Sequence, residues 1–188
     1  DGDSETRLPM ARSGDDWVID TPAAPGTRYG YRASGTWAPE RGLWFDPAKL
    51  LMDPRAVEID RPYRYDPDLG VYGVDTAHLM PKPIVQSTLP DTPHAPPLFT
   101  AGGLIYEAHV RGLTMRHPDV PEDVRGTVAA LAHPAIIAHL QALHVTVLEL
   151  MPIVAWIDER HLPPLGLSNY GGYNPVTPMA LDPRLCPG

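Results

Sequence analysis

The sequence predicts two kinds of fold in succession: a small antiparallel β-sandwich and then a βαβ unit of a parallel sheet. Up to about residue 86, short alternating runs are separated by Gly, Pro and Asp, which is typical of antiparallel strands. Beyond residue 100, an apolar strand, a helix with one apolar stripe and a second apolar strand follow one another. A proline-dense segment separates the two parts. We therefore assign residues 1–88 to the sandwich, 89–100 to a semi-rigid linker and 101–188 to the parallel unit.

The first part contains few regular patterns. Residues 17–19 and 28–33 are predicted strands, and the alternation of the second run places Tyr29 and Tyr31 on one face. One helical turn is predicted over residues 46–51, because Asp46 can cap it and Pro47 suits the first helical position.

The second part shows clearer periodicity. We predict strands over residues 104–111 and 145–152 and a helix over 134–143. Beyond residue 152 we expect a long loop without further regular elements. A βαβ unit needs further strands and helices to cover its faces, and a complete (β/α)₈ barrel takes about 250 residues, so we expect this unit to be unfinished. The helix prediction depends on a stripe formed by Ile136, Ile137, Leu140 and Leu143.

An uncharged stretch over residues 126–148 is long enough to cross a bilayer. It contains Pro134 and three histidines, so we interpret it as a buried helix and strand of a soluble protein. The N-terminus lacks the basic and apolar pattern of a signal peptide, and we expect a cytoplasmic location without membrane association.

Composition excludes several functions. The 188 residues include 15 Lys and Arg and 23 Asp and Glu, giving a formal charge of −8, which matches nucleic acid or an anionic membrane poorly. The apolar fraction of 43% is too high for a disordered chain. The single cysteine, Cys186, cannot form an internal disulfide. The eight histidines lack the spacing of a helical zinc motif, and no nucleotide or nucleophile motif occurs, so we expect no metal and no cofactor.

Two glutamates within the predicted strands, Glu107 and Glu149, could act as a general acid or nucleophile. We favour a structural role, with each paired to a base such as Arg111 or His109, because barrel catalytic groups lie at the C-terminal ends of strands.

The loop over residues 169–175, NYGGYNP, is the most specific feature of the sequence. It follows the second predicted strand, on the side where barrel active sites lie. Its tyrosines and glycines suit an aromatic platform for a sugar, and an ordinary turn with packed tyrosines is the alternative. Three further aromatic residues, Trp37, Trp44 and Phe45, are interpreted as core or interdomain contacts.

Several ordered motifs together resemble a known family. They are RYGYRASGTWAPERGLWFDPAKLLMDPRAVEID, YEAHVRGLTMRHPDVPEDVRG, LAHPAIIAHLQALHVTVLELMPI and DERHLPPLGLSNYGGYNP. These segments are similar to bacterial glycogen debranching enzymes, isoamylase-type members of the alpha-amylase superfamily, glycoside hydrolase family 13. The resemblance implies an immunoglobulin-like β-sandwich of the carbohydrate-binding module family 48 type, followed by the first βα units of a catalytic (β/α)₈ TIM barrel.

The resemblance also implies a substrate and a site. It implies hydrolysis of α-1,6 branch linkages in glycogen by a retaining mechanism, which uses two carboxylates. By motif, Tyr173 matches the tyrosine that stacks on the sugar at the cleavage site, and Asn174 and Tyr170 are weaker candidates for the same pocket. Two departures concern substrate preference: Gly171 stands where the family usually has Trp, and Leu43-Trp44 stands where many relatives have His-Arg.

The family's catalytic carboxylates come from later strands, so no catalytic residue is assigned in this chain. We therefore expect it to be an inactive fragment of such an enzyme that binds glycogen or another branched α-glucan. One alternative is a non-catalytic α-glucan-binding or structural module, and another is a fragment of a related isoamylase, trehalose-releasing or branching enzyme. Because an open parallel pair would expose apolar faces, we also expect possible self-association.

Overall fold

Short strand pairs, short helices and irregular segments make up the described chain, which is residues 4–87, 99 and 101–186 of a computed structural model. Most of the predicted linker over residues 89–100 lies outside the described residues. The strands form four two-stranded sheets. β1 (Ala11–Ser13) pairs with β2 (Asp16–Val18), β3 (Trp37–Ala38) with β4 (Leu43–Trp44), β5 (Leu104–Ala108) with β6 (Val145–Leu150), and β7 (Val154–Trp156) with β8 (Pro175–Leu181).

The first part, residues 4–87, is held by antiparallel pairing. Both of its sheets are antiparallel, and three isolated bridges connect more distant segments. The ring centroids of Tyr29 and Tyr31 are 5.9 Å apart, so the two rings contact each other, which confirms that they share a face. The single turn predicted over residues 46–51 is present as a hydrogen-bonded turn rather than a helix: Oδ1 of Asp46 accepts the Ala48 N–H, as a cap would, and its carbonyl oxygen accepts the Lys49 N–H. The β-sandwich itself stays a prediction.

The second part contains the predicted parallel pair. β5 and β6 run parallel, as the continuous apolar run of residues 145–150 predicts. Along the chain, two α-helices connect β5 to β6: α1 (Val110–Thr114) and α2 (Pro134–Ala142). The helix α2 confirms the predicted one.

The predicted end of the first strand is wrong, because residues 110 and 111 belong to α1. The side chain of His109 ends the strand by accepting a hydrogen bond from the Gly112 N–H, 3.1 Å away, and so caps the helix.

The expectation of a structureless loop beyond residue 152 is also wrong. β7 and β8 form an antiparallel pair there, and three-residue 3₁₀ helices cover Pro163–Leu165 and Pro183–Leu185. The pair was hidden by Pro175 and Pro178, which cannot donate hydrogen bonds and are typical of edge strands.

Three small clusters form the core of the described residues. One joins the two parts, because Ile59 packs against Ala155 and Ala180. A second surrounds Val110, Trp156 and Leu185, and a third surrounds Val120, Ala130 and Ile136.

Residues 126–148 contain the predicted helix and strand, but the expectation that these elements are buried is largely wrong. Within α2 only Ile136 is fully buried, and Ile137 and the neighbouring Leu143 are exposed. The predicted apolar stripe of α2 is therefore only partly buried: Ile136 faces the core, whereas Ile137 and Leu143 face solvent. No helix in the described part is both long enough and apolar enough to span a bilayer.

Candidate functional site

The loop over residues 169–174, called here the loop platform, is fixed at its first residue. The backbone N–H of Asn169 donates to Oδ1 of Asp158 at 2.7 Å, and its side-chain Nδ2 donates to Oε1 of Glu159 at 2.9 Å. Its Oδ1 accepts the N–H of Gly172 at 2.8 Å, which closes the loop on itself. Asn169 thus defines the path of the loop through both ends of its amide.

The turn of the loop depends on a glycine. Gly172 has φ of 75°, in the left-handed region, and a Cβ there would lie 3.0 Å from the carbonyl oxygen of Pro152. Because both the dihedral angle and the space exclude a side chain, the loop can pack directly against the end of the second parallel strand.

Trp156 on β7 forms the floor beneath the loop. Its indole Nε1 donates to the carbonyl oxygen of Asn169 at 3.1 Å, and the ring is 5% exposed. The guanidinium of Arg184 lies 3.9 Å from the ring centroid, a cation–π contact.

Asp182, which is fully buried, holds Trp156 and Arg184 together. Its Oδ2 accepts the Trp156 N–H at 3.2 Å and a guanidinium N–H of Arg184 at 2.8 Å, and its Oδ1 accepts the Arg184 backbone N–H at 2.9 Å and Nε–H at 2.8 Å. Arg184 in turn donates to the Trp156 carbonyl oxygen at 2.7 Å. This charge-assisted network makes the floor of the loop a fixed support.

Tyr170 packs against His109. The two rings are stacked, with centroids 4.1 Å apart and planes 15° apart. Nε2 of His109 lies 2.7 Å from the carbonyl oxygen of Tyr170, and Nδ1 accepts from Gly112. A neutral imidazole with its proton on Nε2 makes both bonds, so His109 joins the end of β5 to the loop.

The three predicted glucan-contacting residues lie on this one loop. Tyr170 and Tyr173 are 60% and 65% exposed, so each has ring surface free for a ligand. Asn174 is half-buried, and its carbonyl oxygen accepts the Ile157 N–H at 3.0 Å. Their assigned roles in binding stay predictions.

Gly171 lies directly beside the Tyr173 ring. A Cβ on Gly171 would lie 3.1 Å from Cδ2 of Tyr173. The glycine that departs from the family pattern therefore allows the Tyr173 ring to lie close over the backbone, where a larger residue would displace it.

The two strand glutamates are direct neighbours. Glu107 and Glu149 are register partners in the parallel pair, and both are exposed. The expected pairing with Arg111 or His109 is wrong, because neither glutamate forms an ion pair within the described part of the chain. His109 instead bonds to Tyr170 and Gly112. Over the same described residues, no three His, Cys, Asp or Glu side chains are close enough to hold a metal ion.

A second exposed aromatic surface lies in the first part of the molecule. Trp37 contacts Trp44 edge-on, with centroids 5.4 Å apart, and Tyr72 at 4.4 Å. These three residues are called here the N-terminal aromatic cluster. Trp44 is 63% exposed, and Phe45 beside it is also exposed, so their assignment to the core or to an interdomain contact is wrong.

The chain matches known proteins along its whole length. It is 48% identical over its whole length to the glycogen debranching enzyme of Yersinia enterocolitica, and 48% identical over 95% of its length to those of Yersinia pseudotuberculosis and Yersinia pestis. The resemblance to bacterial glycogen debranching enzymes is confirmed. The chain spans about 30% of the length of these curated relatives, so the similarity concerns one region of them. No family model matches the chain.

Sequence reasoning missed the residues that support the loop platform. His109, Trp156, Asp182 and Arg184 all touch the loop or its floor, and none was assigned to the site. One local signal was available for Asp182, because Asp followed by Pro is a common cap and start of a helical turn.

Proposed function

We propose that this chain forms the part of a glycogen debranching enzyme that holds an α-glucan chain through the loop platform. The whole protein would hydrolyse α-1,6 branch linkages of glycogen by a retaining mechanism. The similarity to glycogen debranching enzymes supports this proposal, as does the parallel βαβ pairing, which the opening of a (β/α)₈ barrel would contain. An immunoglobulin-like β-sandwich before that barrel and a cytoplasmic location are parts of the same proposal.

The observation that carries the proposal is the exposure of Tyr170 and Tyr173 on a rigidly supported loop. Sugars offer apolar C–H faces that pack on aromatic rings, and their hydroxyls bond to nearby polar groups. Preorganised rings bind such a ligand with little loss of conformational entropy. The chemistry of the loop therefore suits a neutral polysaccharide.

Electrophoresis of the chain through gels that contain glycogen tests this proposal. We expect glycogen to retard the chain and Tyr173→Ala to reduce that retardation several-fold. Met179→Ala serves as a matched control, because Met179 is 63% exposed on β8, directly after the loop. The proposal fails if Tyr173→Ala and Met179→Ala migrate alike at every glycogen concentration.

The N-terminal aromatic cluster favours a second candidate function, a separate α-glucan-binding module. The ring of Trp37 contacts those of Trp44 and Tyr72, and the three together form a larger aromatic surface than one tyrosine offers. The turn that carries Tyr72 is anchored, because Gly73 donates to Oδ2 of Asp46 at 2.7 Å and Nζ of Lys49 donates to the Val74 carbonyl oxygen at 3.0 Å.

The same gels distinguish the two candidates. If the module binds glucan, Trp44→Ala lowers the retardation more than Tyr173→Ala does. Trp17→Ala is the matched control, because Trp17 is 62% exposed on β2 and makes no aromatic ring contact within the described residues. Equal retardation of Trp44→Ala and Trp17→Ala would rule out the module.

A further inference from the structure

A cleft of about 270 Å³ lies beside the loop platform, on the side of Tyr170. No carboxylate lines it, and two guanidinium groups do. Its lining residues are Arg111, Gly112, Met115, Arg116 and Tyr170. Two positive charges on one wall of a cleft, without a protein anion between them, favour an anionic ligand.

The chain has a net charge of −8, and several of its arginines form ion pairs with carboxylates. Arg32 pairs with Glu5 and Asp75, Arg125 with Glu122, and Arg184 with Asp182. Within the described residues, the side chains of Arg111 and Arg116 make neither an ion pair nor a hydrogen bond. An acidic chain that leaves two neighbouring guanidiniums without a partner keeps their donors free for a ligand.

The position of Arg111 is set by packing. Gly126 has φ of 75°, and a Cβ on it would lie 3.4 Å from both Cγ and Nη1 of Arg111 and 2.9 Å from Sδ of Met115. The glycine therefore allows this arginine to lie close against the backbone of the following loop. Arg111 is half-buried, whereas Arg116 is exposed and can adjust to a ligand.

Tyr170 gives the cleft an aromatic wall. One face of its ring stacks on His109, and the ring remains 60% exposed. The C–H face of a hexose can pack on such a ring, while a phosphate group attached to the hexose reaches the guanidiniums. Guanidinium groups bind phosphate through two parallel hydrogen bonds, which makes arginine a preferred phosphate ligand.

Another cleft of similar volume differs from this one by the carboxylate in its lining. It is lined by residues 62–65, Asp158, Pro163 and Arg184, so Arg64, which has no ion pair within the described residues, shares the lining with the Asp158 carboxylate. Asp158 supplies a negative charge, and Arg184 is already neutralised by Asp182. An anion is therefore favoured in the cleft beside Tyr170.

We propose that the cleft formed by Arg111, Arg116 and Tyr170 binds the phosphate monoester of a hexose. The hexose phosphate can be a phosphorylated glucosyl unit within a glucan or a free hexose phosphate, because both present the same chemistry. The proposal rests on the proposed function, since Tyr170 belongs to the loop platform.

Isothermal titration calorimetry of the full 188-residue chain with glucose 6-phosphate and with glucose tests the proposal. We expect glucose 6-phosphate to bind at least tenfold more tightly than glucose at low salt, and this preference to shrink as salt screens the charges. Arg116→Gln and Arg111→Gln should each reduce the preference about tenfold. Arg41→Gln is the control, because Arg41 is exposed and also has no ion pair within the described residues.

The proposal is overturned if both glutamine variants keep the full preference, or if the unsubstituted chain binds the two sugars equally. Gel retardation by phosphorylated glucan and by the same glucan after phosphatase treatment then identifies the source. Stronger retardation by the phosphorylated glucan supports a phosphorylated chain as ligand, and equal retardation together with glucose 6-phosphate binding supports a free hexose phosphate.

The two proposals fail separately. If glycogen retards the chain through Tyr173 but phosphate adds no affinity, the function stands and the phosphate site falls. If glucose 6-phosphate binds with the expected preference but Tyr173→Ala changes nothing in glycogen gels, the phosphate site stands and the function of the loop platform falls.

Discussion

The two exposed aromatic surfaces of this molecule are supported in different ways. The loop platform stands on a buried network in which Asp182, Trp156 and Arg184 bond to one another. The N-terminal aromatic cluster stands on strands of two residues, and the ion pair of Arg32 with Asp75, close to Tyr72 in the chain, is partly exposed. Buried charge-assisted bonds resist solvent and salt better than exposed ones do. The loop platform should therefore keep its geometry under conditions that loosen the cluster.

Removal of Asp182 should have the largest effect, because it takes away the central acceptor beneath the loop platform. Asp182→Ala leaves the Trp156 N–H and the Arg184 guanidinium without their acceptor in a buried place. We expect the free energy of unfolding to fall by about 3 kcal/mol, measured by urea titration.

Asp66→Ala is the matched control for this substitution. Asp66 also precedes a proline and caps a 3₁₀ helix, Pro67–Gly70, but it does so at the surface. We expect its loss to cost about 1 kcal/mol, as for an ordinary helix cap. Equal losses for the two variants would mean that burial adds nothing to the support of the loop.

Asn169→Ala should come next, because it removes the bonds that close the loop on itself. The variant loses the bond to Glu159 and leaves the buried Gly172 N–H without its acceptor, so we expect a loss of about 2 kcal/mol. Glycogen retardation should fall as well, because the tyrosines lose their fixed position.

Asn174→Ala, in the same loop, is the stability control. No side-chain hydrogen bond of Asn174 occurs within the described residues, so its unfolding free energy should stay close to that of the unsubstituted chain. A greater loss for Asn174→Ala than for Asn169→Ala would contradict the assigned role of Asn169.

A smaller effect of opposite sign is expected at Thr177 on β8, the strand that follows the loop. Its hydroxyl is buried without a hydrogen-bond partner within the described residues, which costs free energy. Thr177→Val keeps the shape of the side chain and removes the polar atom. We therefore expect the free energy of unfolding, measured by heat or urea, to rise by about 1 kcal/mol.

Thr114→Val provides the comparison, since Thr114 is equally buried but fully bonded. Its Oγ1 donates to the Val110 carbonyl oxygen and accepts the Gly126 N–H, each at 2.9 Å. This variant should lose stability by about 1–2 kcal/mol. If both variants shift in the same direction, the two hydroxyls do not differ as described.

The smallest expected effect is a loss of stability at low pH in the region of the N-terminal aromatic cluster. The Ala77 N–H and then the Arg32 guanidinium hold the pKa of Asp75 below its usual value, and the bond to Arg32 does the same for the pKa of Glu5. A carboxylate with a lowered pKa contributes stability above its unfolded pKa and loses it as pH falls through the folded pKa. We therefore expect the free energy of unfolding to fall below about pH 4, as the ion pairs of Arg32 with Asp75 and Glu5, near Tyr72 in the chain, are lost.

Asp75→Asn tests this expectation, because it removes the charge and keeps an oxygen for the Ala77 N–H. Melting temperatures between pH 7 and pH 3 should fall less for this variant than for the unsubstituted chain. A pH dependence equal to that of the unsubstituted chain would mean that the ion pair with Arg32 contributes nothing.

The sequence predicted those elements whose patterns are local. The apolar run of β6 and the period of α2 place both correctly. α1 was missed because Gly112 is a poor helix former and the cap comes from the side chain of His109. β8 was missed because prolines interrupt it, and pairing with β7 decides the outcome.

The site followed the same rule. The loop itself is a local motif, so the sequence indicated Tyr170, Tyr173 and Asn174. Its support comes from Asp182, Arg184 and His109, which approach the loop only through tertiary packing. The exposure of Trp44 could not be predicted either. Its strand has only two residues, so no alternating pattern indicates which side chain faces solvent.

The contact of Ile59 with Ala155 and Ala180 has a kinetic consequence. It joins segments about a hundred residues apart, so forming it costs much loop-closure entropy before any burial is gained. The junction should therefore assemble after the local hairpins and helices. Once it has formed, we expect the two parts of the molecule to lose their structure together, although the sequence divides them at a linker.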